Sequence, residues 1–165
     1  MIRRCTDADE AAIGAIINEA AEAYRGVIPA DCWHEPYMPR AELAAEIAAG
    51  VEFSGWDEAE ALIGVMGQQP VKDVTLIRHA YVRPAHQGRG IGGALLTHLA
   101  DRTAGPLLVG TWAAAEWAIR FYQRHGFSLV TPEEKDRLLQ TYWTVSPRQR
   151  ETSVVLVRSS PVAPY

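Results

Sequence analysis

The chain has 165 residues, of which 48% are hydrophobic and 22% charged, a composition that fits one folded domain and excludes a disordered or fibrous protein. Its formal net charge of -4 argues against a general nucleic-acid or membrane-surface binder, because such proteins usually carry a basic domain. No stretch approaches the ~18 apolar residues of a membrane span, so we expect a cytoplasmic protein without nucleic-acid or membrane partners. Cys5 and Cys32 lack the spacing of a metal site, and we expect no metal.

The first fifty residues predict two helices joined by a structured loop. Asp7 is placed to cap a first helix, on which apolar residues recur at helical spacing as far as Tyr24. Residues 25–39 hold a glycine, three prolines and several aromatic rings, which indicates a structured loop. Leu43 and Ile47 then indicate a short helix that ends at Gly50.

The remainder of the chain predicts a sheet. Strands are expected at 51–54, at 62–66 after an acidic turn at Asp57 and Glu58, and at 74–82. Helices and strands then alternate as far as a last strand at 152–157, with a polar helix at 133–142. A meander followed by this alternation predicts an α+β domain with a mixed sheet over residues 1–158 and a flexible tail at 159–165.

A glycine-rich segment between a predicted strand and a predicted helix is the most informative part of the sequence. Glycines permit a tight turn, and the first amides of the following helix lack intrahelical partners, so such a turn binds anions. No acidic residue occurs between Val74 and Ala100, although the whole chain is negative, and a diphosphate is therefore the expected ligand. The residues concerned are Gln87, Gly88, Arg89, Gly90, Ile91, Gly92 and Gly93.

This turn has three open interpretations: a dinucleotide-binding turn, a plain structural turn, and a third that rests on a family resemblance. Gly88-x-Gly90-x-x-Gly93 matches the dinucleotide fingerprint, but residues 84–87 separate the glycines from the strand and no carboxylate follows the next strand. A Walker loop is excluded because no Gly-Lys-Ser/Thr is present, and a plain structural turn rarely needs so many glycines.

The third interpretation comes from a family resemblance carried by two blocks. Gln87-x-x-Gly90-x-Gly92, after Val82-Arg83-Pro84, resembles the acyl-CoA pyrophosphate motif of the GCN5-related N-acetyltransferase (GNAT) superfamily. About thirty residues later, Phe121-Tyr122-x-x-x-Gly126-Phe127 is similar to the later helix and strand of that family. The resemblance covers roughly residues 2–157.

The resemblance implies a centrally splayed sheet flanked by helices, with acetyl-CoA as co-substrate. It implies that the strand ending at Val82 bulges, and that the backbone of Ala80, Tyr81 and Val82 pairs with the pantetheine arm. The sequence departs from the family at Ala115, where many members carry an asparagine that contacts the pantetheine. A polar group such as Thr111 or the backbone is then expected to make that contact.

The implied activity is transfer of an acetyl group to a primary amine by direct attack in a ternary complex. Tyr122 is the expected acid, because the resemblance places it beside the coenzyme sulfur, and His79 is the expected base, with a water relay as the alternative. Glu52 and Glu35 are weaker candidates for the base. A noncatalytic acyl-CoA-binding module and acetylation of a protein N-terminus or lysine are the alternative functions, and a homodimer is possible.

Two aromatic segments are the candidates for acceptor binding. These are Trp33, His34, Glu35 and Tyr37 in the first loop, and Tyr142 and Trp143 before the last strand. If both segments cover the open end of the splayed strands, the rings would surround an apolar body and Glu35 would attract an ammonium group. This predicts a small cationic amine with an apolar or aromatic body, with core or dimer-interface packing of Trp33 and Trp143 as the alternative.

Overall fold

A computed structural model describes residues 1–159 of the chain. Seven strands within these residues form one sheet in the order β1-β2-β3-β4-β5-β7-β6. The predicted tail lies, apart from Ser159, outside the described residues. The strands are β1 (Ile2–Arg4), β2 (Glu52–Glu58), β3 (Ala61–Val71), β4 (Val74–Val82), β5 (Leu107–Trp112), β6 (Ser128–Leu129) and β7 (Ser153–Arg158).

Helices cover both faces of this sheet. They are α1 (Glu10–Ala20), α2 (Arg40–Ala48), α3 (Ile91–Asp101), α4 (Glu116–Arg124), α5 (Pro132–Tyr142) and α6 (Pro147–Thr152). Because successive strand residues point to opposite faces, Met66 packs with α3 and α4 while its neighbour Val65 packs with α1 and α2. The helix α5 packs on the β4-β5-β7 part of the sheet through Leu138 and Leu139. No helix between residues 1 and 159 is long and apolar enough to cross a membrane.

The centre of the sheet is splayed. All neighbouring strands are antiparallel except β4 and β5, which are parallel and pair only from Thr75 to Ile77 on the β4 side. Beyond Ile77 the register between β3 and β4 shifts, because Val65 pairs with Tyr81 while Gly67 pairs with Arg78. Two residues of β4 therefore oppose one of β3, which is a β-bulge. The prediction of an α+β fold with a mixed, centrally splayed sheet is confirmed.

Two local predictions were wrong, the turn at Asp57 and Glu58 and the helix cap at Asp7, and one short strand was missed. The strand β1 is too short for a sequence pattern, and it was missed. Asp57 and Glu58 belong to β2, where they bind Arg3 and Arg89, and the turn follows at Ala59 and Glu60.

The first helical turn is not capped by Asp7. Thr6 occupies the cap position, and the carboxylate of Asp9 accepts a hydrogen bond of 2.7 Å from the Thr6 backbone N–H. Asp9 also accepts two hydrogen bonds of 2.8 Å from Arg3. Asp9 thus binds both the backbone N–H of Thr6 at the start of the helix and the guanidinium of Arg3.

Candidate active site

A cleft of about 480 Å³ lies between the end of β4, the start of α3 and one face of α4. Most of the predicted cofactor-binding segment lines this cleft. Its lining includes Ala80, Tyr81, Val82, Gln87, Gly88, Gly90, Ile91, Gly92, Gly93, Trp117, Tyr122 and Arg124. The cleft is thus mainly apolar, with a glycine turn at one end.

The glycine turn leaves space beside its backbone. Gly88 and Gly90 both have a φ of +81°, a left-handed conformation that side chains other than glycine rarely adopt. A Cβ atom built on either residue meets nothing within 4 Å. Gly90 also begins α3 without a side-chain cap, so the first amides of the helix are available to an anion. The turn therefore fits a diphosphate group.

Two residues of the turn, Gln87 and Arg89, bind other residues of the protein. The Gln87 side-chain amide donates a 3.1 Å hydrogen bond to the carbonyl oxygen of Val82, which holds the turn to the end of β4. Arg89 is paired with Glu58 and does not line the cleft, and its predicted cofactor-binding role stays a prediction. Arg124, which the sequence analysis did not select, supplies a cation at the cleft instead.

The small residues near α3 permit close packing. A Cβ on Gly93 would lie 2.8 Å from Nε2 of His125, and one on Gly92 would lie 3.5 Å from Phe121. Ala115 is fully buried in a cluster with Tyr24 and does not line the cleft. The Ala115 side chain is therefore part of the core packing around Tyr24.

Tyr122 lies in the wall of the cleft and is 6% exposed. Its ring packs edge-on against Phe121 and Phe127, at centroid distances of 5.1 Å and 5.4 Å. Burial, with a smaller effect of Tyr24, raises the pKa of Tyr122 well above its usual value. The hydroxyl makes no hydrogen bond to any residue from 1 to 159, so it remains protonated and free to donate.

The bulge of β4 determines the position of His79. His79 has a φ of +56°, which is unusual for a residue with a side chain and typical of a strained functional position. Its Nε2 lies 2.6 Å from Oε2 of Glu46 on α2, and its ring stacks on Phe53. Nδ1 makes no hydrogen bond within residues 1–159.

Glu46 holds two neighbouring residues of the bulge. It binds both His79 and Arg78, and its side chain is 18% exposed. Burial alone would raise the pKa of Glu46, but the hydrogen bond from His79 and the charges of His79 and Arg78 outweigh burial and lower it. Glu46 is therefore ionised at neutral pH.

A second cavity of about 180 Å³ lies on the sheet where β4 and β5 separate. It shares Tyr24 and Tyr81 with the cleft, so the two cavities meet at these rings. Its lining includes Tyr37, Arg78, His79, Thr111, Trp112, Leu139, Trp143, Gln149 and Ser153. Trp112 donates a 2.7 Å hydrogen bond to the Tyr37 hydroxyl, and burial raises the pKa of Tyr37 to about 12.

The predicted acceptor residues are divided by the structure. Tyr37 and Trp143 line the second cavity, whereas Trp33 and His34 lie beside the Tyr37 ring and line neither cavity. Trp33 is also covered by the guanidinium of Arg25 at 4.5 Å.

Glu35 and Tyr142 do not occupy their predicted places. Glu35 is 59% exposed and paired with Arg25, because that cation is its nearest partner in the loop. The Tyr142 hydroxyl donates a 2.6 Å hydrogen bond to Asp73 at the turn between β3 and β4. Neither residue lines the cleft or the second cavity.

Three residues that line the two cavities, Tyr24, Trp112 and Arg124, were missed as site residues, and so was Glu46, which holds His79. Tyr24 followed the apolar spacing of α1 and so indicated only core packing. Glu46 and Arg124 lie on helices among other charged residues, with no local feature that distinguishes them. Among residues 1–159 no group of three or more His, Cys, Asp or Glu side chains could hold a metal ion.

Comparison with solved structures shows the fold. The PaiA N-acetyltransferase from Thermoplasma acidophilum, in complex with coenzyme A, is 16% identical, with a TM-score of 0.73 over 96% of this chain and 98% of that one. The ribosomal-protein-S18-alanine N-acetyltransferase from Escherichia coli is 19% identical, with a TM-score of 0.67 over 99% of this chain and 96% of that one. YncA, a putative acetyltransferase from Salmonella typhimurium with acetyl-CoA, is 21% identical, with a TM-score of 0.65 over 100% of this chain and 97% of that one.

The family comparison gives the assignment. None of the curated proteins compared with the sequence matches it. The family described as "Acetyltransferase (GNAT) domain" matches residues 51–129, which include the bulge, the glycine turn and Tyr122. Residues 51–129 are therefore assigned to a GNAT acetyltransferase domain.

Proposed function

We propose that the protein transfers an acetyl group from acetyl-CoA to a primary amine, which attacks directly while both substrates are bound. The observation that carries this proposal is the arrangement of two cavities that meet at the separated strands β4 and β5. One has the glycine turn of an anion site, and the other has His79. Two substrates on either side of the gap could thus react with each other without a covalent enzyme intermediate.

The donor would bind in the cleft. The turn at Gly88 and Gly90 and the cation of Arg124 would hold its diphosphate. The backbone of β4 beyond Ile77 has no partner on β5 and would pair with the pantetheine arm. Acetyl-CoA supplies an acetyl group already activated as a thioester.

His79 would act as the base on the acceptor side. An amine attacks only as the neutral form, and His79 lines the second cavity with Nδ1 free to accept its proton. Glu46 would fix the ring and the tautomer, because Nε2–H donates to its carboxylate. Glu46 is thus a positioning residue.

Tyr122 would act on the donor side. Its hydroxyl is protonated and unpaired, so it can donate a hydrogen bond to the sulfur that leaves. A buried phenol is a weaker acid than a thiol, whose ordinary pKa is about 8.5, so complete transfer from Tyr122 alone is uphill. The proton removed from the amine balances the one that the thiolate takes up, while the C–N bond forms and the C–S bond breaks.

The test is release of free thiol from acetyl-CoA in the presence of a panel of primary amines, with calorimetry of coenzyme A binding in parallel. We expect binding without an amine and amine-dependent thiol release. Binding without thiol release from any amine would contradict the proposal and favour the noncatalytic acyl-CoA-binding module.

A further inference from the structure

We propose that the acceptor is a small primary amine with one aromatic ring, and that this ring binds in the second cavity. The inference rests on the proposed function and specifies its acceptor class. Four properties of the cavity support it: volume, aromatic walls, the charge of its lining and the segments that bound it.

The volume of the cavity sets the size of the acceptor body. The cavity measures about 180 Å³. An apolar cavity of about 150 Å³ is known to hold benzene, so the space suits one six-membered ring and a short linker. Larger fused rings would have to extend beyond the cavity.

The walls of the cavity are unusually rich in aromatic rings. Five of the lining residues are aromatic: Tyr24, Tyr37, Tyr81, Trp112 and Trp143. An aromatic guest gains edge-on or offset contacts with such rings, and they also attract an ammonium group held above their faces. An aliphatic chain of similar size would gain the apolar contact alone.

Internal contacts hold several of these rings in place. Trp112 is hydrogen-bonded to Tyr37, and Tyr37 packs at 5.4 Å from Tyr24. The Trp143 ring lies over Gly110, where a built Cβ would be 3.7 Å from it. Rings already held in position lose little conformational entropy when a ligand binds.

The charge of the lining limits the acceptor to one cationic group. None of the lining residues, all of them between residues 1 and 159, is Asp or Glu. A polyamine or an arginine side chain would therefore find no carboxylate for its second cation. The cation of Arg78 is engaged by Glu46 and Gln69, so it is not free for the carboxylate of an amino acid.

The segments around the cavity favour a small acceptor over a polypeptide. Arg148 on α6 makes two hydrogen bonds, of 2.9 Å and 3.1 Å, to the carboxylate of Asp31 in the first loop. Gln149 follows Arg148 and lines the cavity, and Tyr37 from the first loop lines it as well. The two bounding segments are thus joined, which leaves less room for an extended chain.

The experiment compares acceptors of similar reach. Thiol release from acetyl-CoA is measured with 2-phenylethylamine, with hexylamine, with spermidine and with a short peptide that has a free N-terminal alanine. We expect kcat/KM for 2-phenylethylamine to exceed that for hexylamine by about tenfold, the effect of one or two aromatic contacts. Spermidine and the peptide should be poorer acceptors than hexylamine.

The variant Trp143→Leu tests whether the aromatic ring of the acceptor binds in the second cavity. The substitution removes an aromatic wall and retains apolar volume, so kcat/KM should fall about tenfold for 2-phenylethylamine. The value for hexylamine should fall clearly less, and the affinity for coenzyme A should stay unchanged. Trp56→Leu is the matched control, because Trp56 lies on β2 and lines neither cavity, and it should preserve the preference for the ring.

The outcomes separate this inference from the proposed function. Hexylamine, spermidine or the peptide as the best acceptor, or an equal loss for both amines in Trp143→Leu, would overturn the aromatic acceptor and leave the acetyltransferase intact. Binding of coenzyme A with no acetylation of any amine would overturn the proposed function and the inference together.

Discussion

Nε2 of His79 lies 2.6 Å from Oε2 of Glu46, although the two residues are 33 positions apart in the chain. The contact joins the bulge of β4 to α2, and it orients a histidine whose backbone has a φ of +56°. Phe53 stacks on the same ring and limits its rotation. Helix α2 therefore contributes to the candidate active site, although Glu46 lines neither cavity.

Glu46→Gln should lower kcat by roughly ten- to a hundredfold, a part of the 10²–10⁴-fold that a general base contributes. The amide can pair with Nε2 in the wrong tautomer and carries no charge to stabilise the imidazolium. The KM for acetyl-CoA should not change. Steady-state kinetics of the variant check this, beside His79→Gln as the full loss.

Glu42→Gln is the control for that substitution. Glu42 lies one helical turn earlier on α2, is exposed and makes no hydrogen bond through its side chain within residues 1–159. It should retain wild-type kcat. Wild-type kcat in both Glu46→Gln and His79→Gln would instead indicate that water carries the amine's proton.

Tyr122→Phe should retain affinity for acetyl-CoA and lower turnover by roughly 10²–10³-fold, the range for loss of one hydrogen-bond donor to a developing charge. The hydroxyl has no partner within the described chain, so its removal should leave thermal stability almost unchanged. Single-turnover kinetics and a thermal scan check both expectations. Unchanged turnover with a rate limited by chemistry would assign Tyr122 to core packing with Phe121 and Phe127.

The parts of the site that could be predicted are those that depend on short local sequence patterns. The glycine turn, its place before α3 and the Phe121-Tyr122 block all lie in local patterns, and the fold followed from them. The contact between His79 and Glu46 depends on the register of β3 against β4, which local spacing does not determine.

The partners of polar surface side chains were the least predictable. Glu35 and Tyr142 have the right chemistry for an acceptor site, but each is bound by a partner that the sequence does not reveal. Arg25 lies ten residues from Glu35, and Asp73 lies 69 residues from Tyr142. The folded geometry decides which polar partners meet on a surface, so residue type alone did not predict these two contacts.

Gly90→Val should abolish coenzyme A binding in a protein that still folds. The Cβ meets no protein atom within 4 Å, so the side chain enters the space proposed for the diphosphate, and the φ of +81° adds backbone strain. Calorimetry on the folded variant measures the loss. Near-native affinity would contradict the proposed diphosphate site.

The variant Gly26→Val is the control that distinguishes backbone strain from occlusion of the proposed diphosphate site. Gly26 has a φ of +77°, its Cβ would also meet nothing within 4 Å, and it does not line the cleft. A similar loss of thermal stability is expected in the two variants, with coenzyme A affinity retained only in Gly26→Val.

Asp9→Asn should lower Tm by about 2–4 °C at pH 7, the shift for about 1 kcal/mol, which is typical for loss of a helix cap. The hydrogen bonds from Arg3 and from the Thr6 N–H hold the pKa of Asp9 far below its usual range. A depressed folded pKa stabilises the protein above the unfolded value of about 3.9, and this contribution is lost as the pH falls through the folded value. The Tm difference between wild type and variant should therefore shrink below about pH 4.

Asp7→Asn, which alters the cap predicted from sequence, should shift Tm far less, because the exposed Asp7 side chain makes no hydrogen bond within residues 1–159. A larger shift in Asp7→Asn than in Asp9→Asn would contradict the observed cap.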